Sequence, residues 1–456
     1  MDGLFLTDFF SDRLGAHQRA LGPYHMASVL RKRGLQIRVL DFVYSLPDDI
    51  LDSWLDRHVI NKTKFVGISS TFLKADSPPF FPNPLNDRIT LILKKIKDRQ
   101  PDIRIVQGAP LVFYKHPWAH ATFDGPDVEK RFLKYLNEAF GWSLKTDFDF
   151  TQEEVSFSPE DLILPGETLP MEISRGCIFS CKFCGFAGRG KKKNDAIKSF
   201  SVLKEQLEKH HSLFSTKNYF LADDTFNESV EKVRSFSEMA HSLSFEARFI
   251  CYSRLDLIWA YPQMMDELYT AGIRSMVLGI ETLNQKAGSI IGKGLGKARV
   301  QEALEKIREK YPDLYLGSGF IVGLPEESLE SCEETNRWLL ESRLLNNWVF
   351  YPLRIDNASR DPFKSEFSKN IENYGYQRVS LSGWSRSDLD SKACEAKAHE
   401  MNLHNRSECG PFPWTLFNAL RIQDFDFLSK LKVEDLHQYS DQGKVKDYLK
   451  LLGSDL

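Results

Sequence analysis

Residues 171–193 read MEISRGCIFSCKFCGFAGRGKKK, and this stretch decides the fold. Met171 to Ser174 reads as a short buried strand that Arg175 and Gly176 break. Cys177, Cys181 and Cys184 follow at C-x3-C-x2-C spacing, and Gly185, Gly188 and Gly190 keep the loop behind them pliable. Three thiolates this close in sequence can face one point. A cluster held wholly by cysteine takes four, so three ligands suit an iron–sulfur cube with one iron left open for a small chelating ligand. The other readings are a zinc knuckle and three unrelated thiols. Structural zinc wants four ligands, and the nearest histidines, His210 and His211, fall beyond a predicted helix start.

A strand, then C-x3-C-x-aromatic-C, then a glycine-bearing loop resembles the radical S-adenosylmethionine (SAM) superfamily, matched at Cys177, Cys181, Phe183 and Cys184. The resemblance implies that the three cysteines hold a [4Fe–4S] cluster and that the open iron binds the amino and carboxylate groups of SAM. It implies that one electron cleaves SAM to a 5′-deoxyadenosyl radical, with Phe183 packed near the adenine. Reduced flavodoxin or ferredoxin is the electron donor it implies.

Composition bounds the remainder. A chain of 456 residues, 42% hydrophobic and 12% aromatic, is long enough for two or three folded domains. Lys+Arg of 60 against Asp+Glu of 63 gives a formal charge of -3, which supports no general nucleic-acid or membrane-surface role. No apolar run is long enough to span a bilayer, and no signal peptide is visible. Seven cysteines, three of them clustered, do not form a disulfide framework. Free thiols and an oxygen-sensitive cluster point to a reducing cytoplasm.

Strand and helix signals alternate through residues 1–140. Strands are predicted at 3–7, 36–42, 65–70, 103–106 and 121–125, with helices at 21–33, 50–60, 89–99 and 128–140. Four prolines make 74–86 a loop. Repeated β–α units give a doubly wound parallel sheet whose ligands sit beyond the strands' carboxyl ends. The order of pieces resembles the cobalamin-binding Rossmann domain that precedes many radical SAM barrels. The matching pieces include Gly67-Ile68-Ser69-Ser70 and Gln107-Gly108. The resemblance implies cobalamin, with Gly108 letting the backbone approach its nucleotide tail and Ser69 or Ser70 hydrogen-bonding it. Two departures stand out. The family has Gly-Gly where this chain has Gln107-Gly108, and the axial-histidine motif Asp-x-His-x-x-Gly is missing from TDFFSDRLGAHQ. His58 reads as a helix-face residue and His17 has the wrong spacing, so cobalamin would have no histidine beneath its cobalt.

Residues 141–169 read as a linker. Six β/α units then fill 170–355, with strands at 171–174, 219–222, 245–252, 275–280, 314–322 and 348–353. This resembles the partial (β/α)6 barrel of radical SAM enzymes, and parallel barrels place chemistry at strand carboxyl ends. Asp223, Asp224, Arg254, Glu281 and Glu326 fall there. By resemblance Asp223-Asp224 grips the SAM ammonium, Glu281 contacts SAM, and residues 320–326, with Gly323, pack by adenine. Strand alternation lets only one of Asp223 and Asp224 point inward. Each of these residues could instead cap a helix. The run Arg189, Lys191, Lys192 and Lys193 reads as a solvated loop, or alternatively as a dock for an acidic electron carrier.

Residues 356–456 read as a small, mainly helical substrate lid, with helices at 384–399 and 417–431. Cys251, Cys332, Cys394 and Cys409 form no second cluster motif. The expected function is SAM cleavage followed by cobalamin-dependent methyl transfer to an unactivated carbon of an unidentified substrate. The alternatives are cobalamin-free radical cyclisation, rearrangement or oxidation, and a metal-stabilised binding protein without turnover.

Overall fold

The computed structural model describes residues 1–11, 16–60, 62–69, 88–108, 115–125, 127–186, 190–356, 364–380, 383–419, 430, 432 and 442–455. The chain divides into two compact units. One comprises Met1–Pro170, Glu205–Thr216 and Ser440–Leu456, and the other Met171–Lys204 and Lys217–Tyr439.

The first unit is built on strands β1 (Gly3–Leu6), β4 (Ile37–Leu40), β5 (Phe65–Ser69), β6 (Arg104–Gly108) and β7 (Ala121–Phe123), in the order β4-β1-β5-β6-β7 and parallel throughout. A short hairpin of β2 (Phe9–Ser11) and β3 (Ala16–Gln18) follows β1. Nothing in its short, mixed sequence signals it. Helices Leu21–Arg31, Asp48–His58, Arg88–Arg99 and Val128–Phe140 connect the strands. The apolar β1, β5 and β6 residues Leu4, Leu6, Val66, Ile68 and Ile105 pack with Trp54, Leu55, Ile92 and Leu93 in one core. The strand order is that of an open α/β sheet with its switch point between β1 and β5.

Two sequence boundaries need correction here. Residues 141–169 are no loose linker, because Asp161 takes a two-pronged bond from Arg31 at 2.7 and 2.9 Å, and Glu167 pairs with buried Arg19 at 2.9 Å. The terminal helix Gln442–Ser454, placed with the C-terminal region by its position in the chain, belongs to this first unit. Its Tyr448 and Leu452 enter the core, and its Lys444 meets Glu167 at 2.7 Å.

The second unit is a six-stranded sheet ordered β13-β12-β11-β10-β9-β8, with β8 Leu169–Glu172, β9 Asn218–Ala222, β10 Arg248–Arg254, β11 Ile273–Glu281, β12 Tyr315–Val322 and β13 Asn347–Pro352. Strands β9 to β13 are parallel, each neighbour pair joined through helices as the six predicted units require. The sheet ends at β8 and β13, the open partial-barrel arrangement.

Register decides which residues share a face. Ser253, Leu278, Ser318 and Trp348 form one row. Trp348 Nε1 donates to Asn336 of helix Leu329–Ser342 at 2.9 Å, and Phe249 of the same face packs 5.0 Å from Phe236 of helix Val230–His241. That face is the helix-covered one. The opposite row, Arg254, Gly279, Gly319 and Val349, is the inner face. Helix Pro413–Ala419 lies across the inner side of β9 to β12, close enough that a Cβ on Gly317 would meet the Pro413 ring at 2.6 Å.

In the C-terminal region the helix predicted from Trp384 needs correction, while most of the one predicted at 417–431 lies outside the described residues. Trp384 begins no helix. It lies in a three-stranded antiparallel sheet of Gln377–Arg378, Trp384–Arg386 and Leu389–Asp390. Helix Ser391–His404 starts later, where the Asp390 side chain accepts from Ala393 N–H. Among the described residues no helix is long and apolar enough to cross a membrane.

Candidate active site

The cysteine loop leaves β8 at Ser174, which bridges to Ile197 on the returning limb, while Arg175 N–H donates to Ala196 O at 3.1 Å. Cys177 is buried, and Cys181, Phe183 and Cys184 are half-buried. Cys177 Sγ lies 3.3 Å from Thr225 Oγ1. Arg254 Nη1 donates to Cys181 Sγ at 3.1 Å, and its Nη2 donates to Gly292 O at 3.1 Å. The Arg254 guanidinium is held by Asp256 at 2.5 Å and stacks 4.2 Å over Phe179. Lys182 N–H donates to Ile291 O at 3.1 Å, and Lys182 O accepts from Phe367 N–H at 3.0 Å. Burial, followed by the charges of Cys181, Cys177 and Asp224, pushes the Cys184 thiol up to about 11. The three sulfurs and Asp224 therefore share one electrostatic neighbourhood.

Among the described residues no three His, Cys, Asp or Glu side chains already converge on one ion. A cubane takes one thiolate per iron, so its cysteines need to ring a cluster and not meet at a point. Three free thiols on one loop, one of them receiving an arginine N–H, suit such a group. Its negative sulfurs gain from a donor of that kind.

The two aspartates after β9 part company. Asp223 continues the helix-covered face and is fully buried, its Oδ2 2.5 Å from Lys232 Nζ and 2.8 Å from Ser174 Oγ. Asp224 is half-buried, and its charge acts on Cys184 of the cysteine loop. The structure thus separates a pair that sequence could not.

Glu281 sits at a β-bulge in β11, where Gly279 pairs with Gly319 but Glu281 pairs with Phe320. Its backbone is left-handed, with φ of 70°. The bulge swings its carboxylate back over the inner face, where Oε1 lies 3.3 Å from Lys293 Nζ. Lys293 also donates to Gly279 O at 3.1 Å. Arg254, Asp224 and Glu281 thus gather at the strand ends beside the cysteine loop. Gly323 is elsewhere in role: at φ of 104° it packs under Trp384 and Cys394, which a Cβ would meet at 2.9 and 2.8 Å. Glu326 has φ of 62°, and its neighbour Glu327 is the buried carboxyl, accepting from Thr282 Oγ1 at 2.7 Å. Burial raises Glu327 to about 7.

Sequence reading missed Ser174, Thr225, Lys293 and Glu327. It also took Lys191 for a solvated residue. That expectation fails: Lys191 is buried, with its ammonium 2.6 Å from Glu228 and 2.9 Å from Ser174, whereas Lys192 and Lys193 are exposed. The pairing spans distant segments and leaves no local signal.

In the first unit, register places Ser69 directly beside Gly108 at the carboxyl ends of β5 and β6. Ser70 lies outside the described residues. Among the described residues, a Cβ on Gly108 would meet Phe123 O at 3.7 Å. Gln107 turns the other way, accepting from His116 N–H at 2.8 Å. His17 bonds Ser45 Oγ at 3.0 Å, and His58 ends helix Asp48–His58, facing Asp455 at 3.2 Å and stacked on Trp54 at 4.5 Å. A serine and a glycine side by side at these strand ends suit a nucleotide tail, and both histidines are engaged within the protein.

Residues 171–339 match the radical SAM superfamily model. The chain is 27% identical over 192 residues to the anaerobic magnesium-protoporphyrin IX monomethyl ester cyclase of Cereibacter sphaeroides, covering 40% of this chain and 30% of the cyclase. It is 19% identical over 243 residues to the ribosomal protein uS12 methylthiotransferase RimO of Clostridium botulinum, covering 51% of this chain and 53% of RimO. These matches span 30% and 53% of the relatives' own lengths. The fold is similar throughout to the radical SAM methyltransferase TsrM of Kitasatospora setae with cobalamin and [4Fe–4S] cluster bound, at TM-score 0.64 and 12% identity, covering 100% of this chain and 99% of TsrM. It is likewise similar to the cobalamin-dependent radical enzyme OxsB, at TM-score 0.63 and 14% identity, covering 100% of this chain and 71% of OxsB. Residues 171–339 thus carry the domain of the radical SAM superfamily.

Proposed function

We propose that this chain is a radical SAM enzyme in which Cys177, Cys181 and Cys184 hold a [4Fe–4S] cluster, and in which cobalamin bound to the first unit directs methyl transfer to an unactivated carbon. When bound, the cluster supplies the electron that cleaves SAM and cobalamin supplies a methyl carrier. Reduced flavodoxin or ferredoxin is the proposed electron source.

The observation that carries this reading is the strand-end group beside the cysteine loop, with Arg254 bonded to Cys181 Sγ. Arg254 fixes that sulfur and offsets its charge. Asp224 presents a carboxylate on the inner face, suited to an ammonium. Glu281, turned by the bulge, presents a second, and Lys293 holds it in place. Ser69 and Gly108 stand at the strand ends that would take the cobalamin tail.

The test is anaerobic reconstitution with iron, sulfide and cobalamin, then incubation with SAM and a low-potential reductant. About four irons per chain and release of 5′-deoxyadenosine are expected. Stoichiometric zinc without iron would defeat the reading. A second reading, radical chemistry without cobalamin, is favoured by Gln107 standing where the resembling domains have glycine. Cleavage of SAM by protein that retains no cobalamin would select it.

A further inference from the structure

The cysteine loop has a fastening at its base that the chemistry above does not use. Ser174 stands where the loop begins and Lys191 on its returning limb. Their side chains meet at 2.9 Å. Both reach the same buried group of charges. Lys191 Nζ lies 2.6 Å from Glu228 Oε1, and Lys232 Nζ lies 3.3 Å from that oxygen, 3.2 Å from Ser174 Oγ and 2.5 Å from Asp223 Oδ2. Ser174 O–H donates to Asp223 Oδ2 at 2.8 Å. The four charged side chains are at most 1% exposed, and two positive charges balance two negative ones. The group also reaches the first cysteine. Asp223 Oδ1 accepts from Thr225 N–H at 3.0 Å, and Thr225 Oγ1 is the atom beside Cys177 Sγ.

Stability alone gives no reason for this arrangement. Burying four charges is costly, and apolar side chains of similar volume commonly do as well or better. What charges supply is a fixed partner at a fixed distance. Here each end of the loop is given one, and the loop between carries all three thiols. Closing a loop at its base removes conformations the open chain would otherwise visit.

Resting on the radical SAM reading, we infer that Lys191, Glu228, Lys232, Asp223 and Ser174 form a clasp that sets the cysteine loop for cluster uptake before any iron arrives. Lys191 and Glu228 are positioning residues in this sense and touch no sulfur. Asp223 belongs to the clasp and not to the cofactor.

The experiment compares Lys191→Met with Lys192→Met and Lys193→Met, which remove the same charge from exposed neighbours. In protein stripped of iron by a chelator, alkylation of Cys181 and Cys184 by iodoacetamide is followed by mass spectrometry. After anaerobic reconstitution, iron per chain and the electron paramagnetic resonance spectrum of the reduced cluster are recorded. Lys191→Met is expected to speed alkylation at least fivefold, to halve the iron retained and to broaden the spectrum. Lys191→Arg is expected to restore most of each, and the two neighbouring variants to match wild type. If Lys191→Met loses stability, the pair Lys191→Met with Glu228→Leu removes the unpaired charge. Its thermal midpoint should recover while alkylation stays fast. Wild-type alkylation rates in Lys191→Met, or their return in the pair, would overturn the clasp. Wild-type protein that takes up no iron at all would instead sink the cluster reading, and the alkylation comparison would still be readable.

Discussion

Exchanging Asp223 and Asp224 separately for asparagine should give opposite failures. Asp223 and Lys232 are both fully buried with 2.5 Å between their charged atoms. Removing one partner of such a pair leaves the other charge without compensation and costs about 3–5 kcal/mol. Glu228, 3.3 Å from Lys232, remains, so the lower end of that range applies. For a unit of this size about 3 kcal/mol lowers the thermal midpoint by roughly 10 °C. SAM affinity per cluster-loaded molecule should hardly change, because the lost carboxylate faces a helix. Asp224→Asn acts on the inner face at a half-buried group. Its midpoint should move less than that of Asp223→Asn, since Asp224 is only half-buried. Its SAM affinity should fall by roughly 2–5 kcal/mol, the cost of removing one carboxylate from a desolvated ion pair. Differential scanning calorimetry and SAM titration on anaerobic, reconstituted protein measure both quantities. A stable Asp223→Asn that binds SAM poorly, beside an Asp224→Asn that binds normally, would refute the assignment of faces and the register argument beneath it.

Other outcomes follow from single sites. Replacing Cys177, Cys181 and Cys184 with Ala should abolish the iron chromophore, while Cys251, Cys332, Cys394 and Cys409 should prove dispensable for it. Burial raises Glu327 to about 7, so the folded state holds its proton more tightly than the unfolded chain. Stability should fall as pH rises between the ordinary glutamate range and about 7, by up to about 3 kcal/mol. Urea midpoints of Glu327→Gln across this window should lose that slope, and an unchanged slope would place the effect elsewhere. Gly108→Leu adds bulk at the end of β6 and should lower cobalamin occupancy with the iron content intact. His17→Ala and His58→Ala should leave the cobalamin absorption spectrum unchanged, and a shift with either would assign that histidine to cobalt.

The elements that local pattern governs were legible in the sequence. Five parallel strands of the first unit, six of the second and the cysteine loop all follow from apolar runs, glycine stops and spacing, because those signals act within a few residues. What was not legible depends on partners far apart. Lys191 looks like its neighbours Lys192 and Lys193 until Glu228 is brought to it. Residues 141–169 look like a linker until Arg31 and Arg19 take Asp161 and Glu167. Helix Gln442–Ser454 carries no mark that its core lies with Trp54 and Ile92. The parity of Asp223 and Asp224 needs register across three strands. The turn of Glu281 needs a bulge that one extra residue in β11 creates.

That bulge gives the strand ends a character that polar residues alone would not. Glu281 and Glu326 are non-glycine residues in left-handed backbone at the ends of adjacent strands, β11 and β12. Each such residue costs on the order of 1–3 kcal/mol and persists only where its surroundings over-determine it. The surroundings here do so twice. Thr282, next to Glu281, donates to Glu327, next to Glu326, at 2.7 Å. Asn284 Nδ2 donates to Glu326 O at 2.9 Å, and its side-chain oxygen caps helix Gln285–Ile291. The two strand ends are therefore latched together, and the same helix ends at Gly292, whose carbonyl receives Arg254. The bulge sets Glu281 opposite Phe320, yet its carboxylate stays over Gly279 on the inner face, beside Lys293 and on the side where Arg254 holds Cys181. The bulge of β11, the buried Glu327 carboxyl and the helix that ends at Gly292 thus belong to one connected arrangement, which reaches Cys181 through Arg254.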